Sequence, residues 1–202
     1  KAPHVINNSW SCPPSEGCND PNVMLDVVNN VVEAGIMVVV SAGNSGSSCS
    51  SVSTPSAIYE ASFTVGSTNI NDVIAGSSSR GPVTVDGSGR MKPDISAPGV
   101  SVRSSIRNDG YASFSGTSMA GPHVAGLVAL MISADPDLAG DITTLRSRIE
   151  NGAVQLTTAQ ECGGVAGSMI PNNTYGHGRI DATTSVMQVP EEFFDHSFES
   201  PN

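Results

Sequence analysis

No apolar run in this 202-residue chain approaches the roughly 20 residues that a membrane helix needs. The longest, Gly35–Val40 continued into Ser41–Gly43, stops at a Gly-Asn turn, so no membrane is expected as a partner. Charge is scarce as well, at 14% against 38% hydrophobic residues, which excludes a disordered or coiled-coil chain. Positive charge is the scarcer sign: nine Lys and Arg face nineteen Asp and Glu, for a net charge of -10. Such a chain repels phosphate backbones, so nucleic acid is not expected as a partner either, and the acidity serves solubility. No Cys-x-x-Cys pair occurs, which removes the common zinc patterns. No secretory leader is expected at the start of the chain. It starts at Lys1-Ala2-Pro3 and runs straight into a strand-like segment, as expected of a cut within a larger protein. There is no internal repeat.

What is present reads as one domain with a sizeable core. His4–Trp10 reads as a strand ending in a polar loop. Asp20 and Pro21 suit the N-cap and first position of a helix, with Val23, Val27, Val28, Val31 and Val32 on its buried face. Gly35 ends that helix, and the apolar, mostly β-branched run Ile36–Val40 follows as a strand buried on both faces. Ser62–Ser67 and Asp94–Gly99 are further short strands, and the Ser/Gly-rich stretch 45–56 is loop. Thr117–Ala134 is apolar nearly all round, which predicts a buried central helix. Asp141 caps a last helix to Asn151, with Ile142, Leu145 and Ile149 inward and Gly152 as its stop. The alternation of strand and helix indicates an α/β fold with a parallel sheet.

Four cysteines sit in polar loops. Cys12 and Cys18 flank Pro13-Pro14-Ser15-Glu16-Gly17, a loop that can bring them together, and Cys49 and Cys162 can form a second bridge. Two disulfides imply an oxidising compartment and a secreted or cell-surface protein; four reduced thiols in a cytosolic protein are the alternative. Two glycosylation sequons occur. Asn7 falls in a predicted strand, which leaves Asn172 as the candidate.

The chemistry concentrates in Phe114–Gly126, FSGTSMAGPHVAG. Gly116 permits a sharp turn, Ser118 falls in the first turn of the long helix, and Pro122 lies still within the region where a missing N–H is tolerated. A helix N-terminus offers unpaired N–H groups and a positive dipole end, which stabilise negative charge on an oxygen beside Ser118 Oγ. Acyl transfer needs that stabilisation. A lone serine at a helix start is more often a cap. The whole string 116–126, Gly-Thr-Ser-Met-Ala-x-Pro-His-Val-Ala-Gly, resembles the nucleophile signature of the subtilisin-like serine peptidases, the subtilases.

Other segments resemble the same family in the same order. Val38–Gly46 (VVVSAGNSG) is similar to the strand and turn that carry the family's oxyanion asparagine, here Asn44. Val5–Trp10 (VINNSW) resembles the strand along one side of the primary specificity pocket, where the backbone pairs with an extended substrate. Ser9, Trp10 and Ser11 would then face the peptide, and Ser41, Ala42 and Gly43 would form the opposite wall; Trp10 is otherwise a core tryptophan. Ser78–Pro82, Lys92–Gly99 and Tyr175–Ala182 resemble landmarks with structural roles, so Asp94 is expected to be structural. The resemblance covers residues 1–186 as the C-terminal part of a peptidase domain. It implies a mostly parallel subtilisin-like sheet with helices on both faces and its N-terminal strands missing. Residues 187–202 are expected to be an acidic linker or tail.

The resemblance implies a serine endopeptidase that acts on polypeptides through an acyl-enzyme on Ser118, with Asn44 as oxyanion donor. No cofactor is implied, and no family metal site maps onto these residues. A serine nucleophile needs a base and an orienting carboxylate, which in subtilisins come in the order Asp, His, Ser. Both are expected upstream of residue 1, so the isolated chain is expected to be inactive and to need the missing N-terminal half. His123 projects about 140° from Ser118 on the helix and does not serve. His4, His177 and His196 match no base motif. An exposed sheet edge would also favour self-association. The rival reading is a non-catalytic peptide-binding or self-assembling module derived from a subtilase.

Overall fold

The computed structural model describes residues 2–187; the expected acidic tail beyond Met187, with His196, lies outside the described residues. Four parallel strands form one sheet in the order β1 (Val5–Asn8), β2 (Met37–Ser41), β3 (Phe63–Thr68) and β4 (Ile95–Pro98). Val5 pairs with Met37, Val39 with Phe63, and Val65 with Ile95. Successive side chains on a strand point to opposite faces, and β2 uses both. Met37 and Val39 join Phe63, Val65, Ile95 and Ala97 under one set of helices, while Val38 and Val40 pack with Val28, Ile58 and Tyr59 on the other face. That is why β2 is a continuous apolar run rather than an alternating one.

Helix α1 (Leu25–Glu33) covers one face, and α2 (Thr117–Ala134) and α3 (Ile142–Asn151) cover the other. A short α4 (Ala182–Met187) packs against α2 and α3. The architecture is α/β with a parallel sheet and helices on both faces. α3 begins where the sequence places it: Asp141 Oδ1 accepts from Thr144 N at 3.0 Å, and Leu145 and Ile149 are fully buried. The cysteines pair as Cys12–Cys18 and Cys49–Cys162.

Several expectations need correction. α1 starts at Leu25, not at Asp20-Pro21. Asp20 Oδ1 accepts from Asn22 N in a local turn, and Tyr59 Oη donates to Pro21 O at 2.7 Å while accepting from Met24 N at 3.1 Å. A tertiary partner thus holds the backbone groups that a helix start would use. Val28 is buried, but Val23 and Val27 are 52% and 61% exposed. α2 is not buried all round: Ala120, Val124, Leu127, Val128 and Met131 face the sheet, while Leu130 is 57% exposed. With 18 residues and a mean hydropathy of 1.3, α2 is also long and apolar enough to cross a membrane, against the sequence expectation; it packs on all four parallel strands, as the central helix of a domain does. Asn172 is buried, its amide donating to Leu156 O and Met169 O and accepting from Thr174 N and Tyr175 N, so no glycan fits there. An antiparallel hairpin, β5 (Val102–Ile106) and β6 (Gly110–Phe114), was not foreseen.

Candidate active site

In open α/β sheets, ligands bind at the carboxyl ends of the strands. There, β1 delivers Ser9, β2 delivers Gly43 and Asn44, and the β5–β6 hairpin returns the chain to Gly116 and α2. Gly116 N donates to Gly99 O at 2.7 Å, closing the neck of the hairpin. Gly116 has φ of +149°, a conformation L side chains rarely adopt, and a Cβ there would lie 3.3 Å from Asn44 Oδ1. Glycine therefore lets Asn44 come close to the helix start.

Asn44 Oδ1 accepts from Thr117 N at 2.9 Å and from Thr117 Oγ1 at 3.2 Å. Thr117 Oγ1 in turn accepts from Gly43 N at 3.2 Å. The carboxamide oxygen is thereby occupied, and the Nδ2 donors have no protein partner among the described residues. The Ser118 N–H lies in the first turn of α2, where the helix supplies no acceptor. Asn44 Nδ2, just after the end of β2, and the Ser118 N–H, at the start of α2, are thus two uncommitted donors.

Ser118 is half-buried, and its Oγ donates to Ser9 O at 3.3 Å. The contact is reciprocated: Ser9 Oγ donates to Ser118 O at 3.0 Å and accepts from Asn7 Nδ2 at 2.9 Å. Pro122 explains the second bond. Against the sequence expectation, it stands inside α2, four residues after Ser118, beyond the N-terminal positions where proline removes nothing. Without an N–H at Pro122, Ser118 O has no helical partner, and the Ser9 hydroxyl supplies one. Gly121 adds to the close approach, since a Cβ there would lie 2.6 Å from Asn7 Oδ1.

Of the expected cleft walls, Trp10 and Ser11 are exposed, and at 50% exposure Trp10 is not a core tryptophan. Ser41 and Ala42 are buried, at 7% and 1%, so that wall presents backbone and Gly43 rather than side chains. On another side of Ser118 lies a groove of about 340 Å³ lined by Val102, Met119, Pro122 and His123. No histidine among the described residues reaches Ser118. His123 turns back on its own helix, with Nδ1 2.9 Å from Met119 O, so that nitrogen carries the proton. His177 lies by Glu150, with Nε2 3.7 Å from Oε2, and His4 is exposed at the start of β1.

Asp94 belongs to a different constellation. It bonds Lys92 Nζ at 2.6 Å, Arg146 Nη2 at 3.2 Å and Thr64 N at 2.6 Å, just before the start of β4. Burial pulls the Lys92 pKa down, and the Asp94 charge opposes that shift. Among the described residues, no cluster of three or more His, Cys, Asp or Glu side chains is placed to hold a metal ion. Sequence reasoning missed the Thr117 hold on Asn44 and the Asn7–Ser9–Ser118 chain. The only signal for the latter was a proline four residues after a candidate nucleophile.

A sequence model described as the Subtilase family matches residues 1–178. Bacillopeptidase F of Bacillus subtilis (strain 168) is 36% identical over 195 residues, covering 94% of this chain and 12% of that protein. Subtilisin BL of Lederbergia lenta is 34% identical over 184 residues, covering 91% of this chain and 56% of that protein. The chain therefore spans only part of these relatives. A solved structure described as the prenylagaramide maturation protease PagA aligns with a TM-score of 0.70 over 91% of this chain and 61% of its own. At 19% identity, that likeness bears on the fold alone.

Proposed function

The chain belongs to the subtilase family, and from that premise we propose that it is the nucleophile-bearing part of a serine endopeptidase that cleaves polypeptides. Ser118 Oγ attacks the peptide carbonyl carbon and gives its proton to an imidazole. The carbonyl oxygen, now negative, takes hydrogen bonds from Asn44 Nδ2 and the Ser118 N–H. The C–N bond then breaks, the imidazole returns the proton to the leaving amine, and water hydrolyses the acyl-enzyme by the reverse path. The observation that carries this reading is the Thr117 grip on Asn44 Oδ1, which leaves a fixed amide donor beside the serine.

The base and its orienting carboxylate come from sequence outside these 202 residues. Ser118 bonds a carbonyl, which cannot take a proton, and no histidine among the described residues reaches it. The groove beside Met119 and Pro122 has room for a segment bearing the imidazole. An extended substrate pairs with the backbone of Ser9–Ser11 and displaces Ser118 Oγ from Ser9 O. Two disulfides support an extracellular setting.

A second reading, a peptide-binding module without turnover, draws on the same resting contact of Ser118 with Ser9. A serine-directed fluorophosphonate separates the two. The chain combined with the N-terminal part of its peptidase domain is expected to be labelled at Ser118, and Ser118→Ala is not. Absence of labelling in the combined protein would support the module instead.

A further inference from the structure

Behind the loop that carries Asn44 runs the segment Ser77–Gly81, bonded to it along its length. Ser79 N donates to Gly43 O at 3.0 Å, Ser45 N to Ser79 Oγ at 3.0 Å, and Gly46 N to Ser77 O at 2.9 Å. Ser51 N and Val52 N both donate to Arg80 O, at 2.8 and 3.0 Å. The Arg80 side chain is buried, at 7% exposure. Its Nη1 donates to Ser47 O at 3.0 Å and to Gln160 Oε1, and Gln160 Nε2 donates to the same Ser47 carbonyl at 2.7 Å.

Two neutral acceptors, Ser47 O and Gln160 Oε1, but no counter-charge among the described residues, offset the burial of this cation. No carboxylate pairs with Arg80 among the described residues, and its Nε is buried without a partner. Burial draws its pKa below the ordinary guanidinium value. A buried charge without a counter-charge is unfavourable, and an apolar side chain of similar volume in such a place is often neutral or stabilising. Ion pairing therefore does not account for an arginine here. Its position does: it holds Ser47, three residues after Asn44, from inside the protein.

We propose that Arg80 is a positioning residue which, with Gln160, fixes the loop after β2 so that the Asn44 carboxamide stays in place for the oxyanion. The inference rests on the proposed function and deepens it. The guanidinium bonds one carbonyl directly and recruits the Gln160 amide to bond it a second time. The loop can then neither swing outward nor rotate Asn44 away from Thr117.

The test uses the chain combined with the N-terminal part of its peptidase domain and compares Arg80→Met, Arg80→Lys and Gln160→Met. Loss of oxyanion alignment acts on the transition state rather than on substrate binding. In Arg80→Met, kcat is expected to fall about tenfold or more with KM within about twofold, while Tm holds or rises. Arg80→Lys keeps the charge and one bond and is expected to fall between. Gln160→Met is expected to lower kcat in the same direction. Hydrogen exchange in a Ser118→Ala background is expected to show the amides of Ser45–Ser51 exchanging faster in Arg80→Met. An unchanged kcat with unchanged exchange would overturn the proposal, as would equal losses in Tm, kcat and KM in all three variants. If instead activity survives Ser118→Ala, the function itself is misread, and the exchange result alone decides whether Arg80 holds the loop.

Discussion

At Gly116 the backbone takes a turn that brings Asn44 within reach of the helix start, and at Thr117 the N–H and the hydroxyl together set which way the Asn44 amide faces. An amide offers an acceptor at one end and donors at the other, and only the donor end can meet an oxyanion. Thr117 Oγ1 and N together hold the acceptor end. Thr117→Val keeps the shape and the backbone bond but removes the hydroxyl. It is expected to lower kcat about tenfold, with little change in KM, because amide orientation matters to the transition state more than to binding. Steady-state kinetics of the combined protein check this; an unchanged kcat would mean that the backbone bond suffices. Ser118 and Asn44 stood out in the sequence because each sits in a long string that resembles a known pattern. Thr117 lay inside the same string, but its hydrogen bonds depend on where β2 ends relative to α2, a long-range fact that local sequence does not carry. The buried side chains of Ser41 and Ala42 escaped notice for the same reason.

The helices differ in how much of their form is local. α3 was readable because its cap is local: Asp141 accepts from Thr144 N and Thr144 Oγ1, at 3.0 and 2.7 Å. Those bonds, the backbone one foremost, hold the Asp141 carboxyl below the usual carboxylate range, as Thr184 does for Asp181. A folded-state pKa below the unfolded one gives stability that is present above the unfolded value and is lost as pH falls through the folded one. Asp141→Ala is therefore expected to cost about 1 kcal/mol near neutral pH, with the gap to wild type closing below about pH 3.9. Urea unfolding at both pH values measures it; a gap independent of pH would show that the cap is not acting as a carboxylate. α1 was misplaced because Tyr59, far away in sequence, holds Pro21 O and Met24 N. The hairpin β5–β6 was missed because its strands are mostly exposed and carry no buried face for a pattern to reveal.

On the scale of the molecule, the parallel sheet and its helices on both faces were legible from β2 alone, since a strand apolar on both faces requires cover on both. The Cys49–Cys162 bridge spans 113 residues and ties the loop after Asn44 to the loop between α3 and α4, whereas Cys12–Cys18 closes only 6. Replacing Cys49 and Cys162 by serine is expected to lower stability by about 2–4 kcal/mol, more than the same change at Cys12 and Cys18, because the longer loop restrains the unfolded chain more. Equal losses would point to strain or local packing instead. β1 stands at one edge of the four-stranded sheet, with Val27 and Leu130 exposed on helices of its two faces. An unpaired edge beside apolar helix surface favours pairing with another chain. The isolated 202-residue chain is accordingly expected to self-associate, and a monodisperse monomer by light scattering would contradict that.

The most direct measurement is hydrolysis of a chromogenic peptide by the purified chain, alone and after addition of the N-terminal part of its peptidase domain, with Ser118→Ala as the control. The account predicts silence from the chain alone and activity that depends on Ser118 once the other part is added. Activity from the 202 residues alone, abolished by Ser118→Ala, would contradict it, because a base would then lie within this chain.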